Sequence, residues 1–246
     1  MEAYLAYLEE WLAETLVRRK ADGFVLGVSG GVDSALMTYL LARKFKQNTL
    51  GLILPCKSSP DDERDALLVL DGAGVDYRTI DLTAAHEALF PAITEFTNNN
   101  TMESTRVIDG NMRARLRMTM LFAVAQSKNY LVVGTDNAIE WYTGYFTKFG
   151  DGAADITPFI HLLKSDIYEA AELLGVPQPI IDKAPSAGLW EGQTDESEMG
   201  VSYETLETFL RGGTVSPEAR ERIAFWHDRS EHKREMAWAP KKYHNE

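Results

Sequence analysis

Gly27-Val28-Ser29-Gly30-Gly31-Val32-Asp33-Ser34 follows a short apolar run, and its residue types suit the handling of phosphate. A glycine pair lets the backbone turn tightly and approach a ligand, and a helix starting just after it aims unpaired N–H groups at an anion. Ser29 and Ser34 add hydroxyl donors. The pattern G-x-x-x-x-G-K-[ST] is not matched, because the spacing is too short and Asp33 or Ser34 stands where its lysine would be. A carboxylate beside phosphates makes sense with a divalent cation between them, so Asp33 is a candidate Mg2+ ligand. The same residues could also form an ordinary strand-to-helix turn capped by Asp or Ser.

The surrounding sequence supplies elements able to position this loop. Leu5, Leu8, Trp11, Leu12 and Leu16 recur at helical spacing, so the chain opens with an amphipathic helix. Asp22-Gly23 breaks it, and residues 24–28 are an apolar run too short for a helix and suited to a strand buried on both faces. Residues 34–45 return to helical spacing, 49–55 read as a second buried strand, 61–74 as a helix ended by glycine, and 76–82 as a third strand. A long helix from about residue 103 to 128 carries Arg106, Arg113, Arg115 and Arg117, and residues 130–134 supply a further strand. The alternation predicts an α/β fold of Rossmann-like type, a parallel sheet covered by helices on both faces with ligands at the carboxyl ends of its strands.

Residues 134–158 and 184–202 show no sustained periodicity and bracket one clear helix at 164–175. Loops this long in a compact domain are more often functional than idle. No repeat, low-complexity run or linker divides the chain, so residues 1–246 read as a single domain with a polar tail from about residue 227. The formal net charge of -12 opposes nucleic acid as a partner, since such binders concentrate Lys and Arg against phosphates. Cys56 has no second cysteine to pair with, no leader pattern opens the chain, and no stretch approaches the roughly 20 apolar residues of a membrane span. These features predict a reduced, cytoplasmic compartment and no membrane partner.

The string S-G-G-x-D-S after a strand resembles the pyrophosphate loop of the ATP pyrophosphatase, or PP-loop, superfamily, whose members cut ATP between its α and β phosphates. Residues 134–158, residues 183–203 ("KAPSAGLWEGQTDESEMGVSY") and "SEHKR" at 230–234 extend the resemblance, in order and over most of the chain, to ammonia-dependent NAD synthetase. The resemblance implies a fold of the adenine-nucleotide alpha-hydrolase type. It implies ATP-dependent amidation of deamido-NAD by ammonia through an acyl-adenylate, releasing AMP and pyrophosphate, in a homodimer. Gly27, Val28, Ser29, Gly30, Gly31, Val32, Asp33 and Ser34 would then hold the ATP phosphates, joined by Thr135, Lys164 and Ser186. Asp33 and Glu140 would hold Mg2+, and Arg115, Lys148, Asp155, His232 and Lys233 would hold deamido-NAD. Asp33 and Lys164 would act in catalysis, with Asp151 or Asp155 taking the proton that ammonium must lose.

Each assignment has a plainer reading beside it. Glu140 could be a solvated acid at a helix start and Arg115 a helix-surface arginine. Lys164 could be an isolated surface lysine, although it begins a helix, where the dipole disfavours a cation and a phosphate partner would explain the placement. His227, His232 and His244 fit no common zinc spacing. Two departures from the family pattern are mild: Ser186 stands where many relatives carry threonine, and Asp136-Asn137-Ala138 lacks a basic residue that some place there. The length leaves no room for a glutaminase domain, so free ammonia is the expected nitrogen source. Rival readings are a PP-loop tRNA-modifying enzyme, which the negative charge opposes, and a nucleotide-binding dimer without catalysis.

Overall fold

Short apolar runs punctuated by glycine become the four strands of a parallel sheet: β1 (Gly23–Gly27), β2 (Thr49–Ile53), β3 (Asp76–Thr79) and β4 (Tyr130–Val132), in the order β3-β2-β1-β4. The computed structural model describes residues 1–97, 101–184 and 195–242. The helices before β4 are α1 (Glu2–Arg19), α2 (Val32–Phe45), α3 (Pro60–Ala73), α4 (Thr83–Leu89), α5 (Thr94–Thr97) and α6 (Met102–Lys128). After β4 come α7 (Ala138–Thr143), α8 (Lys164–Leu174), α9 (Gln178–Ile181), α10 (Asp195–Met199), α11 (Tyr203–Leu210) and α12 (Pro217–Arg234). Among the described residues no helix is long and apolar enough to cross a membrane.

Successive strand side chains point to opposite faces, so the central strand builds two cores. Phe24 and Leu26 of β1 pack with Leu36 and Leu40 of α2, Leu70 of α3 and Ile167 of α8. Val25, between them in sequence, joins Leu50, Leu52 and Val132 against Ala125 and Leu121 of α6. β1 is buried from Gly23 to Leu26 between the helices on its two faces, and it has a neighbour on each edge: Phe24 pairs with Thr49 of β2 and with Leu131 of β4. The strands flanking β1 are thus reached by different connections. The loops leaving β1 and β4 emerge side by side at the carboxyl edge, the place where an open parallel sheet admits a ligand.

Several expected boundaries differ. β4 stops at Val132, and Val133 continues it only through an isolated parallel bridge to Ile156. The nominally irregular stretch after β4 holds α7, which is too short to show a period. The polar tail starts at Glu235 and not near residue 227, because α12 runs on to Arg234. Only Ile223 and Ser230 of α12 are buried, so its sequence shows no apolar stripe. The helix is held by Ile223 in a small apolar cluster with Met199 and Leu206 and by side chains donating to carbonyls: Arg222 Nε and Trp226 Nε1 to Met199 O at 2.6 and 2.9 Å, and Arg234 Nη1 to Tyr142 O at 3.1 Å. Trp11 of α1 packs on the first core, so that face of α1 is interior.

Glycine is required at position 30. Its φ is +79°, and a Cβ there would lie 2.7 Å from Asp65 Cβ and 3.1 Å from Asp62 O of α3. Gly30→Ala should therefore cost about 1–3 kcal/mol of stability through backbone strain alone. The check is a urea titration, where a lowered midpoint at unchanged slope is expected and an unchanged midpoint contradicts the close approach.

Candidate active site

The glycine loop is pre-shaped by its own hydroxyls. Ser34 Oγ donates to Gly31 O at 3.0 Å and accepts from Ser29 N at 3.2 Å, while Gly31 N donates to Ser29 Oγ at 3.3 Å. Gly31 is the N-cap of α2 with an extended backbone and no side chain of its own to satisfy the first turn. The orphan N–H groups of that turn are thus available to an anion. Gly27 ends β1, and Val28 and Val32 are buried beneath the loop.

Asp33, in the first turn of α2, meets residues from two other helix starts. Its Oδ2 accepts from Lys164 Nζ at 2.5 Å and its Oδ1 accepts from Asn137 Nδ2 at 3.0 Å. Lys164 is the first residue of α8 and only 4% exposed. Glu140 Oε1 lies 4.0 Å from the same Nζ. Burial alone would lower the Lys164 pKa, but the Asp33 and Glu140 charges outweigh it and hold the ammonium above its ordinary range. The electrostatic penalty of a cation at a helix start is thereby offset by two carboxylates from other elements.

Asn137 organises the other half. Its Oδ1 accepts from Ile139 N at 3.0 Å and Glu140 N at 3.1 Å, and Glu140 Oε2 accepts from Asn137 N at 3.0 Å, a reciprocal cap that starts α7. Burial, then the nearby Asp33 charge, push the Glu140 carboxyl up to about 8, against the opposing pull of Lys164 and Asn137 N–H. Asp136, one residue earlier, is 7% exposed, and burial followed by the charges of Glu140, Asp151 and Asp33 raises its pKa well above the usual carboxylate range. Lys164 also stands 5.6 Å from the centre of the Tyr203 ring, whose hydroxyl donates to Asp195 Oδ2 at 2.8 Å.

Asp33 and Glu140 are hard oxygen donors converging on one cation, which fits a small divalent ion. Among the described residues no three His, Cys, Asp or Glu side chains are placed to hold a metal by themselves. An ion such as Mg2+ is commonly held by one or two carboxylates with ligand phosphates and water completing its shell, and Asp33 and Glu140 are the two carboxylates that would serve. A divalent cation beside Asp33 and Glu140 would favour the ionised form of the Glu140 carboxyl and add the positive charge that a polyphosphate needs.

The residues expected to hold a second substrate form a neighbouring group. Exposed Arg115 donates Nε and Nη2 to Lys148 O, both at 3.3 Å, and Lys148 Nζ donates to His232 O. Lys233 Nζ donates to Gly144 O at 2.7 Å and Phe146 O at 2.6 Å, and burial lowers its pKa. His232 enters through its backbone carbonyl, its side chain being exposed. Asp155 stands apart: its Oδ2 accepts from Val132 N at 2.8 Å, finishing the end of β4. Asp151 is exposed, with Oδ1 accepting from Thr147 N at 2.9 Å, and its charge acts on both Lys233 and Asp136. Thr135 is half-buried just past β4, and Ser186 lies outside the described residues.

Sequence reasoning gave no role to Asn137, Asp136 or Arg117. Asn137 followed three residues later by Glu140 is a helix-start signature that could have revealed α7. Arg117 was noted only as one of a row, yet its Nε donates to Leu54 O at 2.9 Å and its Nη2 to Ser58 Oγ at 3.0 Å, tying α6 to the loop after β2. Nothing in the sequence marked Asp136.

Residues 4–237 match the family described as NAD synthase. The chain is 48% identical to an NH(3)-dependent NAD(+) synthetase of Mannheimia succiniciproducens, over 97% of this chain and 96% of the relative. It is 47% identical to one of Alkaliphilus oremlandii, over 94% of each. Among solved structures, an NMN synthetase from Francisella tularensis superposes with a TM-score of 0.91 at 47% identity, covering 98% of each chain. An NH3-dependent NAD synthetase from Campylobacter jejuni superposes with 0.78 at 28% identity and the same coverage. With a glycine loop, two carboxylates and a buried lysine gathered at the edge of a parallel sheet, and with relatives of this closeness over nearly its whole length, the chain belongs to the NAD synthase family.

Proposed function

We propose that the protein amidates the nicotinate carboxylate of deamido-NAD with ammonia, using ATP and yielding NAD, AMP and pyrophosphate. The observation that carries this reading is the convergence of Asp33, Glu140 and buried Lys164 beside the Ser29–Ser34 loop, at 2.5 and 4.0 Å. A carboxylate oxygen is a poor leaving group, so ammonia needs an activated acyl carbon. The substrate carboxylate attacks the α-phosphorus, the bond to the β-phosphate breaks, and pyrophosphate departs toward the N–H groups of the loop and α2. Lys164 neutralises charge that grows on the departing oxygens. Asp33 and Glu140 would hold Mg2+, which when bound supplies further positive charge to the phosphates. Ammonia then attacks the acyl-adenylate carbonyl and AMP leaves, with Asp151 as the carboxylate receiving the proton of ammonium. Arg115, Lys148 and Lys233 supply cations for the dinucleotide in a chain of net charge -12.

A second reading concerns only the size of that substrate. The superposition at TM-score 0.91 is with an NMN synthetase, against 0.78 for the Campylobacter NAD synthetase. This favours a test of the mononucleotide, nicotinate mononucleotide, in place of deamido-NAD, with the same chemistry at the carboxylate. The protein acts in the cytoplasm as a homodimer on this reading. Leu89, Phe96, Met102 and Val107, exposed on α4 to α6, supply an apolar patch for the second copy.

Purified protein with ATP, Mg2+ and ammonium chloride should convert deamido-NAD to NAD with one AMP per turn. ADP in place of AMP overturns the cleavage assignment, and a larger kcat/KM on nicotinate mononucleotide assigns the smaller substrate. Glutamine in place of ammonium should support no turnover. Asp33→Asn should lower kcat by about 10²–10³-fold with the fold intact by circular dichroism, the scale of losing one electrostatic group at a reacting centre. Sedimentation should give a dimer, and Met102→Glu should shift it toward monomer; a monomeric wild type removes the dimer from the reading.

A further inference from the structure

We propose that Lys183 is a positioning residue for the glycine loop: by bridging Asp62 and Asp65 of α3 it cancels negative charge that this helix start brings to Gly30, and so sets how tightly the loop takes ATP and pyrophosphate. The proposal rests on the reading that the loop holds the phosphates, and it adds a residue that acts on them through its neighbours.

The start of α3 is a poor neighbour for a polyphosphate. Asp61, Asp62 and Glu63 lie in its first turn and Asp65 follows just behind them. Acids suit a helix start, where the dipole favours them, but this start is pressed against the loop. The space beside Gly30 is closed by Asp65 Cβ and Asp62 O, the atoms that an added Cβ would meet at 2.7 and 3.1 Å. Charge acts over about 8 Å at physiological salt, so uncovered carboxylates here repel an anion held at Gly30. Two cations answer them. Arg64, on α3 itself, pairs with Asp61 at 2.6 Å and with Asp65 at 3.2 Å. Lys183 comes from another element, just past α9, and its Nζ lies 3.2 Å from Asp62 Oδ1 and 3.0 Å from Asp65 Oδ2. Among the described residues it is the one cation paired with Asp62. Burial would lower the Lys183 pKa, but the hydrogen bonds and charges of Asp65 and Asp62 outweigh it and raise it.

The surroundings of the bridge say what it is for. A cleft of about 480 Å3 is lined by Ser59, Asp62 and Asp65 from the α3 side and by Pro179 and Asp182 from the α9 side, and Lys183 reaches across it. Pro179 is the one apolar residue in that lining, so charge and not packing decides what the bridge does. An ion pair whose lysine side chain is 38% exposed adds little to stability. Its larger consequence is for the field at the loop. Without the lysine, Asp62 has no cation and Asp65 has Arg64 alone, while α3 still holds both acids beside Gly30. A surface ion pair with no further task predicts the opposite result, nucleotide binding indifferent to its loss.

Calorimetric binding of α,β-methylene-ATP with Mg2+ reads the loop without turnover, because this analogue cannot be cut between its α and β phosphates. In Lys183→Met the Kd should rise about tenfold at low salt, and the ratio to wild type should shrink as KCl is raised to about 1 M, where charge acts over only about 3 Å. The KM for ATP should rise in parallel while that for ammonium stays within about twofold, and the urea midpoint should hold. Adding Asp62→Asn to Lys183→Met removes the uncovered charge and should recover most of the loss. A lysine acting on the phosphates directly, or only on the fold, gives no such recovery. Lys183→Arg should bind nearly as wild type. Asp62→Asn alone should bind the analogue at least as tightly as wild type, which keeps the proposal testable if Lys183→Met does not fold. An unchanged Kd in Lys183→Met, no recovery in the double variant, or weaker binding by Asp62→Asn alone would overturn the assignment. A wild type that binds the analogue yet forms no NAD overturns the reaction reading and leaves the Lys183 result standing. One that binds no analogue overturns the phosphate role of the loop, and this proposal with it.

Discussion

The contact between Lys164 and Asp33 is the constraint around which this edge of the molecule is arranged. It joins the first residue of α8 to the first turn of α2 at 2.5 Å, with almost no solvent to share the charge. Taking a lysine out of water is unfavourable, and removing one partner of such a pair strands the other, typically at about 3–5 kcal/mol. Asn137 extends the contact to the start of α7, and Glu140 reaches the same ammonium. The starts of three helices are consequently held in mutual register by one cation. Of the three, α2 starts without a side-chain cap, so its first N–H groups are the ones left for a polyphosphate.

The sheet makes that gathering possible. Because β1 lies between β2 and β4, the segments after β1 and β4 emerge as neighbours although about a hundred residues apart in sequence. The loop after β1 is narrow because α3 presses on Gly30. The loop after β4 is wider and is finished by Asp155, which satisfies Val132 N–H and lets the chain turn back at Ile156. A residue expected to serve a ligand thus also has a structural task. The cationic group around Arg115 and Lys233 is drawn toward the cleft in the same way, by carbonyls of the segment that follows α7.

How much of this was legible in the sequence follows from how each element is stabilised. The β1 and β2 runs and helices α2, α6 and α8 bury an apolar face, and an apolar face leaves a period that can be read. α12 buries little beyond Ile223 and relies also on arginine and tryptophan donors to carbonyls, so its polar composition read as a tail. The six residues of α7 are fewer than two turns, and only its cap carries a signal. Lys164 was readable because a cation at a helix start needs a reason. Asp136 was not, since an acid after a strand is ordinary and only its burial makes it unusual.

Gly144, which ends α7 at φ +66°, faces Ser230 of α12 so closely that an added Cβ would fall 2.2 Å from Ser230 Cβ. Two backbones brought this near leave room for hydrogen on one side and a hydroxymethyl on the other. Drift in a lineage that enlarged either position would have to shift α12, and with it the carbonyls of His232 and the amine of Lys233. The pair is therefore a steric lock between a helix with little hydrophobic anchorage and the cleft it borders, and evolution can alter the two positions only in concert.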